Sequence, residues 1–122
     1  MTNPDGRPVA LVVEDEPIIL MDAADILEDL GFEVLEAWNG DTALAVLRER
    51  APVDLLFTDV HMPGTLDGFT LARTVAERWP GTKVVVCSGH VTPAAGALPA
   101  GAVFIDKPFS ATLVSETLGR LG

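Results

Sequence analysis

The chain has 122 residues, 48% of them hydrophobic, which suits one domain with a single core and excludes a disordered segment. Eighteen acidic residues against eight basic ones give a formal net charge of −10, and Lys and Arg are not clustered, so we expect no nucleic-acid partner. No apolar run approaches the roughly 18–20 residues of a membrane helix, and no signal peptide is apparent; with a single cysteine, this predicts a cytoplasmic protein without membrane contact.

Apolar strands and amphipathic helices alternate along the chain. Residues 8–13 are almost wholly apolar, as in a parallel strand buried on both faces. Residues 17–30 follow as a helix, with Pro17 in its first turn and Gly31 after its end. Its predicted apolar face consists of Ile19, Ala23, Ile26, Leu27 and Leu30.

The same alternation continues to the end of the chain. Further strands are predicted at 33–37, 53–58, 83–87 and 102–105, and further helices at 42–50, at 68–79 and after Ser110, which can cap the last one. This order predicts a parallel sheet with helices on both faces. Residues 90–101 contain two prolines and two glycines, so a fourth helix there should be short, distorted or absent. We assign Trp38, Met62, Trp79 and the Cys87 thiol to packing.

Polar side chains follow four of the predicted strands. In an open parallel sheet, ligands bind beyond the carboxyl ends of the strands. If the first and third strands are neighbours, Glu14, Asp15 and Asp59 converge there. Three carboxylates that close repel one another unless a cation is present, and their oxygens suit Mg²⁺, with Mn²⁺ able to substitute. Lys107 and Ser88 would add a cation and a hydroxyl suited to a phosphoryl group, which a carboxylate can accept as nucleophile.

Each of these residues also has a purely structural interpretation. Acidic residues after the first strand can simply begin a helix, whose dipole favours them. Asp59 can be a turn residue, and Lys107 before a proline can be a solvated loop charge. Four strand ends that all supply suitable chemistry favour a site over coincidence.

Five motifs in this order resemble those of response-regulator receiver domains of two-component signal transduction. They are Val13-Glu14-Asp15-Glu16, Thr58-Asp59-Val60-His61-Met62-Pro63-Gly64, Asp67-Gly68, Ser88-Gly89 and Lys107-Pro108-Phe109. Any one of them is weak, but the ordered set over nearly the whole chain is specific. The chain departs from the pattern in three ways: residues 62–68 are one residue longer, Phe104 stands where tyrosine is frequent, and the helix after Ser88 is degraded, which puts dimerisation through that face in doubt.

The resemblance implies a flavodoxin-like, three-layer α/β fold with a five-stranded parallel sheet of order 2-1-3-4-5. It implies that Asp59 accepts a phosphoryl group from a sensor histidine kinase or a phosphotransfer protein. Asp15 and Asp59 would bind Mg²⁺ through side chains, His61 through its backbone carbonyl and Glu14 through water.

The remaining roles also rest on the resemblance. Lys107 would contact the phosphoryl oxygens, and the Lys107–Pro108 bond would be cis. Ser88 and Phe104 would move together toward the phosphoryl group as a two-state switch that signals to an unknown downstream protein. The chain would not be an enzyme beyond its own phosphorylation and dephosphorylation. We expect residues 1–122 to form one receiver domain without an output domain, as a complete single-domain regulator or, alternatively, a fragment.

The His61 side chain is disfavoured as a metal ligand, because nitrogen suits Mg²⁺ poorly; we expect it to lie over the site and tune hydrolysis, with His90 across from it. Three other functions stay open. A haloacid-dehalogenase-like phosphatase would need a second Asp where His61 stands. A nucleotide- or flavin-binding module would need a glycine- or hydroxyl-rich loop in place of residues 14–17. A phosphorylation-independent interaction module on the same fold is the third.

Overall fold

Five parallel strands, numbered along the chain, form one sheet in the order 2-1-3-4-5 that the family resemblance predicts. The computed structural model describes residues 6–50, 52–61, 66–89 and 98–121. The strands are β1 (Val9–Val13), β2 (Glu33–Ala37), β3 (Leu55–Asp59), β4 (Lys83–Ser88) and β5 (Val103–Asp106). The helices within these ranges are α1 (Pro17–Asp29), α2 (Gly40–Arg50), α3 (Gly68–Arg78) and α4 (Ala111–Leu121). None of them is long and apolar enough to cross a membrane.

The central strands β1 and β3 are buried along their whole length, which explains their continuous apolar sequence. Alternate side chains of β1 enter two separate cores. Leu11 and Val13 pack with α2 and α3, whereas Ala10 and Val12 pack with α1 and α4. Helices therefore cover both faces of the sheet, which leaves the ends of the strands available for a site.

Side-chain caps fix the first turns of three helices. In each, a side-chain oxygen accepts a hydrogen bond from a backbone N–H three residues later. The pairs are Asn39 with Thr42 at 2.7 Å, Asp67 with Thr70 at 2.8 Å, and Ser110 with Leu113 at 3.0 Å. The predicted cap at Ser110 is confirmed.

Two predicted packing positions are wrong. Trp38 is 66% exposed, because its neighbour Ala37 is the residue that points into the core at the end of β2. Leu30 is 41% exposed, because α1 ends before it and Gly31 turns the chain away with φ near 101°. Trp79 packs against the core as predicted. Met62, His90 and most of the predicted irregular segment 90–101 lie outside the described residues.

Gly68, the first residue of α3, lies in direct contact with the end of β3. A Cβ atom at Gly68 would lie 2.0 Å from the carbonyl oxygen of Asp59 and 2.8 Å from the Cα of Val60. The Gly68 N–H also donates to the Val60 carbonyl at 2.9 Å. The glycine therefore sets the backbone position of Asp59.

We expect Gly68→Ala to lower the free energy of unfolding by roughly 1–3 kcal/mol, since the new methyl group must displace the Asp59 backbone. Urea denaturation followed by circular dichroism measures this. Gly119→Ala is the matched control, because nothing lies within 4 Å of a Cβ at Gly119 within α4. There the substitution should be neutral or stabilising by up to about 1 kcal/mol. Equal effects at both positions would contradict the contact argument.

Candidate functional site

A cleft of about 550 Å³ opens at the carboxyl edge of the sheet. Two sets of residues form it: those that end or follow β1, β3, β4 and β5, and two from the first half of α1. They are Glu14, Asp15, Glu16, Ile19, Asp22, Asp59, His61, Gly89, Lys107, Pro108 and Phe109. The position agrees with the prediction that ligands bind where parallel strands end.

Glu14, Asp15 and Asp59 meet in this cleft, as the sequence predicts. One carboxylate oxygen from each lies within 4.8 Å of the others. Glu14 and Asp59 are buried, whereas Asp15 is exposed at the mouth. β1 pairs directly with β3, and this pairing brings together side chains that are more than 40 positions apart in the sequence.

Lys107 reaches into the cluster from the loop after β5. Its Nζ lies 2.6 Å from Glu14 Oε1 and 3.2 Å from Asp59 Oδ1. The Lys107 backbone N–H donates to the Ser88 carbonyl at 3.1 Å, which ties this loop to the end of β4. The Lys107–Pro108 bond is cis, as the resemblance implies. The lysine therefore joins two carboxylates that come from two different strands.

Burial and neighbouring charges shift the pKa values of Glu14 and Lys107. Burial raises the pKa of the Glu14 carboxyl, and the Asp59 charge acts in the same direction, although hydrogen bonds from Lys107 and the Glu16 backbone oppose it. Burial alone would lower the pKa of Lys107, but its hydrogen bond to Glu14 and the Asp59 charge outweigh this, and the pKa of Lys107 is raised. Lys107 is therefore a cation at neutral pH, whereas the negative charge of Glu14 is disfavoured without further positive charge.

The donor set fits Mg²⁺. Ligand oxygens at about 2.0–2.1 Å from an octahedral Mg²⁺ lie about 3 Å apart when adjacent and about 4.2 Å apart when opposite. One oxygen of each of Glu14, Asp15 and Asp59 lies within 4.8 Å of the others, so the three are close enough to surround one ion. All three are hard oxygen donors, and the cleft leaves room for water.

The other predicted residues lie around the cluster at different depths. His61 is exposed and lines the cleft. Ser88 is buried at the end of β4, and Gly89 rather than Ser88 is among the described residues that line the cleft. Phe104 is half-buried and packs against the core on the α2 and α3 side. The structure thus groups Glu14, Asp15, Asp59 and Lys107 in the cleft, whereas Ser88 is buried and Phe104 packs against the core.

Several contributors to the site were missed by the sequence argument. Ile19 and Asp22 of α1 form part of the cleft wall. Phe109 also lines the cleft. The centroid of its ring lies 5.3 Å from that of the Phe57 ring, and the two rings are nearly perpendicular. The start of α1 follows directly on the acidic residues, and that adjacency was the available signal.

These features accord with a comparison against known families. The response regulator receiver domain family matches residues 10–118. The chain is a receiver domain of this family. Over 105 residues, 83% of the chain, it is 41% identical to the nitrogen assimilation regulatory protein NtrX of Azorhizobium caulinodans.

Solved structures agree. The receiver domain of NtrX from Brucella abortus is 39% identical and has a TM-score of 0.80, covering 92% of this chain and 96% of that one. A response regulator receiver protein from Sinorhizobium medicae is 28% identical with a TM-score of 0.87, covering 94% of each chain. Receiver domains are the signalling switches of two-component systems and work with histidine kinases or phosphotransfer proteins.

The curated relatives are longer proteins. This receiver domain spans 23% of the length of the Azorhizobium NtrX and 22% of that of the NtrX-like regulator of Rickettsia bellii. The activities of those full-length proteins therefore depend on regions outside the segment that is similar to this chain.

The thiol of Cys87 lies beneath the site, on β4. It is 2% exposed, as predicted, and its Sγ lies 3.6 Å from the Thr58 carbonyl oxygen. Burial raises the pKa of the Cys87 thiol to about 12. Because only the thiolate is a good nucleophile, the folded protein should keep this cysteine inert.

At pH 8 we therefore expect no reaction of the native protein with Ellman's reagent on the timescale of free cysteine, and full reaction once guanidinium unfolds it. Absorbance of the released thionitrobenzoate measures both. Rapid reaction of the native protein would show that β4 opens easily and would contradict the burial argument.

Proposed function

We propose that this receiver domain accepts a phosphoryl group on Asp59 in a Mg²⁺-dependent reaction and signals through the resulting change in conformation. The observation that carries the proposal is the contact of Lys107 Nζ with Asp59 Oδ1 at 3.2 Å, inside a cleft that Glu14 and Asp15 also line. A carboxylate, a lysine and a group of metal-binding oxygens are the parts that phosphoryl transfer to an aspartate requires.

Asp59 is better placed as nucleophile than its two acidic neighbours. It ends the central strand β3, is 7% exposed, and its backbone is held by Gly68. Glu14 is already engaged by Lys107 at 2.6 Å, and Asp15 is exposed at the mouth. A fixed, nearly buried carboxylate that still reaches the cleft satisfies the need for precise positioning in such reactions.

In the proposed reaction, an Asp59 carboxylate oxygen attacks the phosphorus of the donor. The new P–O bond forms as the bond from phosphorus to the donor's nitrogen or oxygen breaks, and the departing group keeps that electron pair. Lys107 holds the phosphoryl oxygens by charge. Asp15 and Asp59, with the His61 backbone carbonyl and, through water, Glu14, would hold Mg²⁺. The bound ion supplies positive charge that offsets the charge of the phosphoryl group and the carboxylates.

The same residues account for dephosphorylation and the signal. Water attacks the phosphorus of the aspartyl phosphate, the bond from phosphorus to the Asp59 oxygen breaks, and inorganic phosphate leaves as the carboxylate is restored. The exposed His61 side chain that lines the cleft tunes the rate of this hydrolysis. Ser88 moves to donate a hydrogen bond to the phosphoryl group, and Phe104 follows it inward. The Lys107 N–H bond to the Ser88 carbonyl links the end of β4 to the loop that carries the lysine. A histidine kinase or phosphotransfer protein is the proposed donor, and a downstream protein reads the changed surface.

Intact mass spectrometry after incubation with acetyl phosphate tests the acceptor. We expect a gain of one phosphoryl group with Mg²⁺ and none with EDTA or in Asp59→Asn. Asp25→Asn is the matched control, since Asp25 is an exposed aspartate of α1 that does not line the cleft. It should be phosphorylated like the wild type. Failure of the wild type to gain mass under any condition would leave a phosphorylation-independent interaction module.

The role of Asp15 is tested by the Mg²⁺ concentration that gives half the maximal phosphorylation rate. Because Asp15 supplies one of the three clustered oxygens, Asp15→Asn should raise this concentration by roughly tenfold or more, the loss expected on disturbing a metal site. Asp25→Asn should leave it unchanged. An unchanged value in Asp15→Asn would remove Asp15 from the proposed ligand set.

A further inference from the structure

Trp38 is the one aromatic side chain among the large hydrophobic residues that are exposed in the described part of the chain. It is 66% exposed and directly follows the edge strand β2. The core does not need it, and the proposed phosphoryl chemistry does not use it. Tryptophan is enriched among the residues that contribute most to the affinity of protein interfaces.

Backbone contacts hold the turn that carries Trp38. On one side, the Ala37 carbonyl accepts a hydrogen bond from the Glu14 N–H at 3.0 Å. On the other, the Asn39 side chain caps α2. Gly40 then packs so closely on Leu66 that a Cβ there would lie 2.6 Å from the Leu66 Cβ. The indole is thus presented on a preorganised turn, so that little backbone entropy is lost on binding.

The charged residues that flank this turn most closely in the sequence are acidic. They are Glu36 and Asp41, whereas Glu33 at the start of β2 is paired with Arg50 at 3.0 Å. Glu36 and Asp41 are exposed, and they lie two residues before and three residues after Trp38. An occupant of this surface must therefore complement negative charge and an aromatic face together.

We propose that Trp38, Glu36 and Asp41 form a docking surface for a partner protein that presents arginine. A planar guanidinium can stack on the indole and still pair with a carboxylate, which the compact ammonium of lysine does less well. A second copy of this chain is a poor occupant, because its net charge is −10 and the facing acidic surfaces would repel. Nucleic acid is repelled for the same reason. The proposal goes beyond the phosphorylation chemistry and does not depend on it.

The first test measures the anisotropy of a fluorescent, short oligoarginine peptide with the full chain, at physiological ionic strength and saturating Mg²⁺. An oligolysine peptide of equal length is the comparison. We expect tighter binding of oligoarginine, and a loss of roughly fivefold or more in Trp38→Ala, in line with a cation–π contact. Leu30→Ala removes another exposed apolar side chain, at the far end of α1, and should bind like the wild type.

The second test separates local contact from general attraction. The double variant Glu36→Gln and Asp41→Asn should weaken oligoarginine binding more than Glu49→Gln with Glu116→Gln, which removes the same charge at other exposed positions. No phosphoryl donor is present in this experiment, so failure of phosphorylation would not affect the result. Absence of binding by the wild type, unchanged affinity in Trp38→Ala, or equal losses in the two double variants would each overturn the proposal.

Discussion

The site depends on the repulsion between three carboxylates that the sheet brings within 4.8 Å of one another. A single ammonium, that of Lys107, lies among them and contacts two. One positive charge cannot neutralise three carboxylates, and burial, with the Asp59 charge acting in the same direction, raises the pKa of Glu14. The site therefore favours additional positive charge, which the proposed Mg²⁺-dependent phosphorylation would supply.

The fold maintains this unfavourable arrangement by rigidity. β1 and β3 are fully buried and hydrogen-bonded to each other, so their ends cannot move apart without exposing the core. Gly68 packs on the Asp59 carbonyl and allows no side chain between α3 and β3. Hydrophobic burial elsewhere therefore keeps the three mutually repelling carboxylates close together, as is common at functional sites.

The excess of acidic over basic residues also determines the charge of the molecular surface. Carboxylates surround both the cleft and the turn that carries Trp38, so the surface favours cationic partners near both. The two regions share a structural link, because the Glu14 N–H is bonded to the Ala37 carbonyl beside Trp38. A partner bound at Trp38 would consequently lie near the proposed phosphorylation site.

The sequence by itself determined the order of the strands and helices, the parallel sheet and the acidic and basic residues at the strand ends. Those properties follow from local hydrophobic periodicity and from the rule that parallel strands end at one edge. Tertiary structure decided the exposure of Trp38 and Leu30, the contribution of Ile19 and Asp22 to the cleft, and the pairing of Lys107 with Glu14 across 93 positions. Such contacts depend on how distant segments pack, and no local pattern encodes the direction in which one side chain at the end of an element will point.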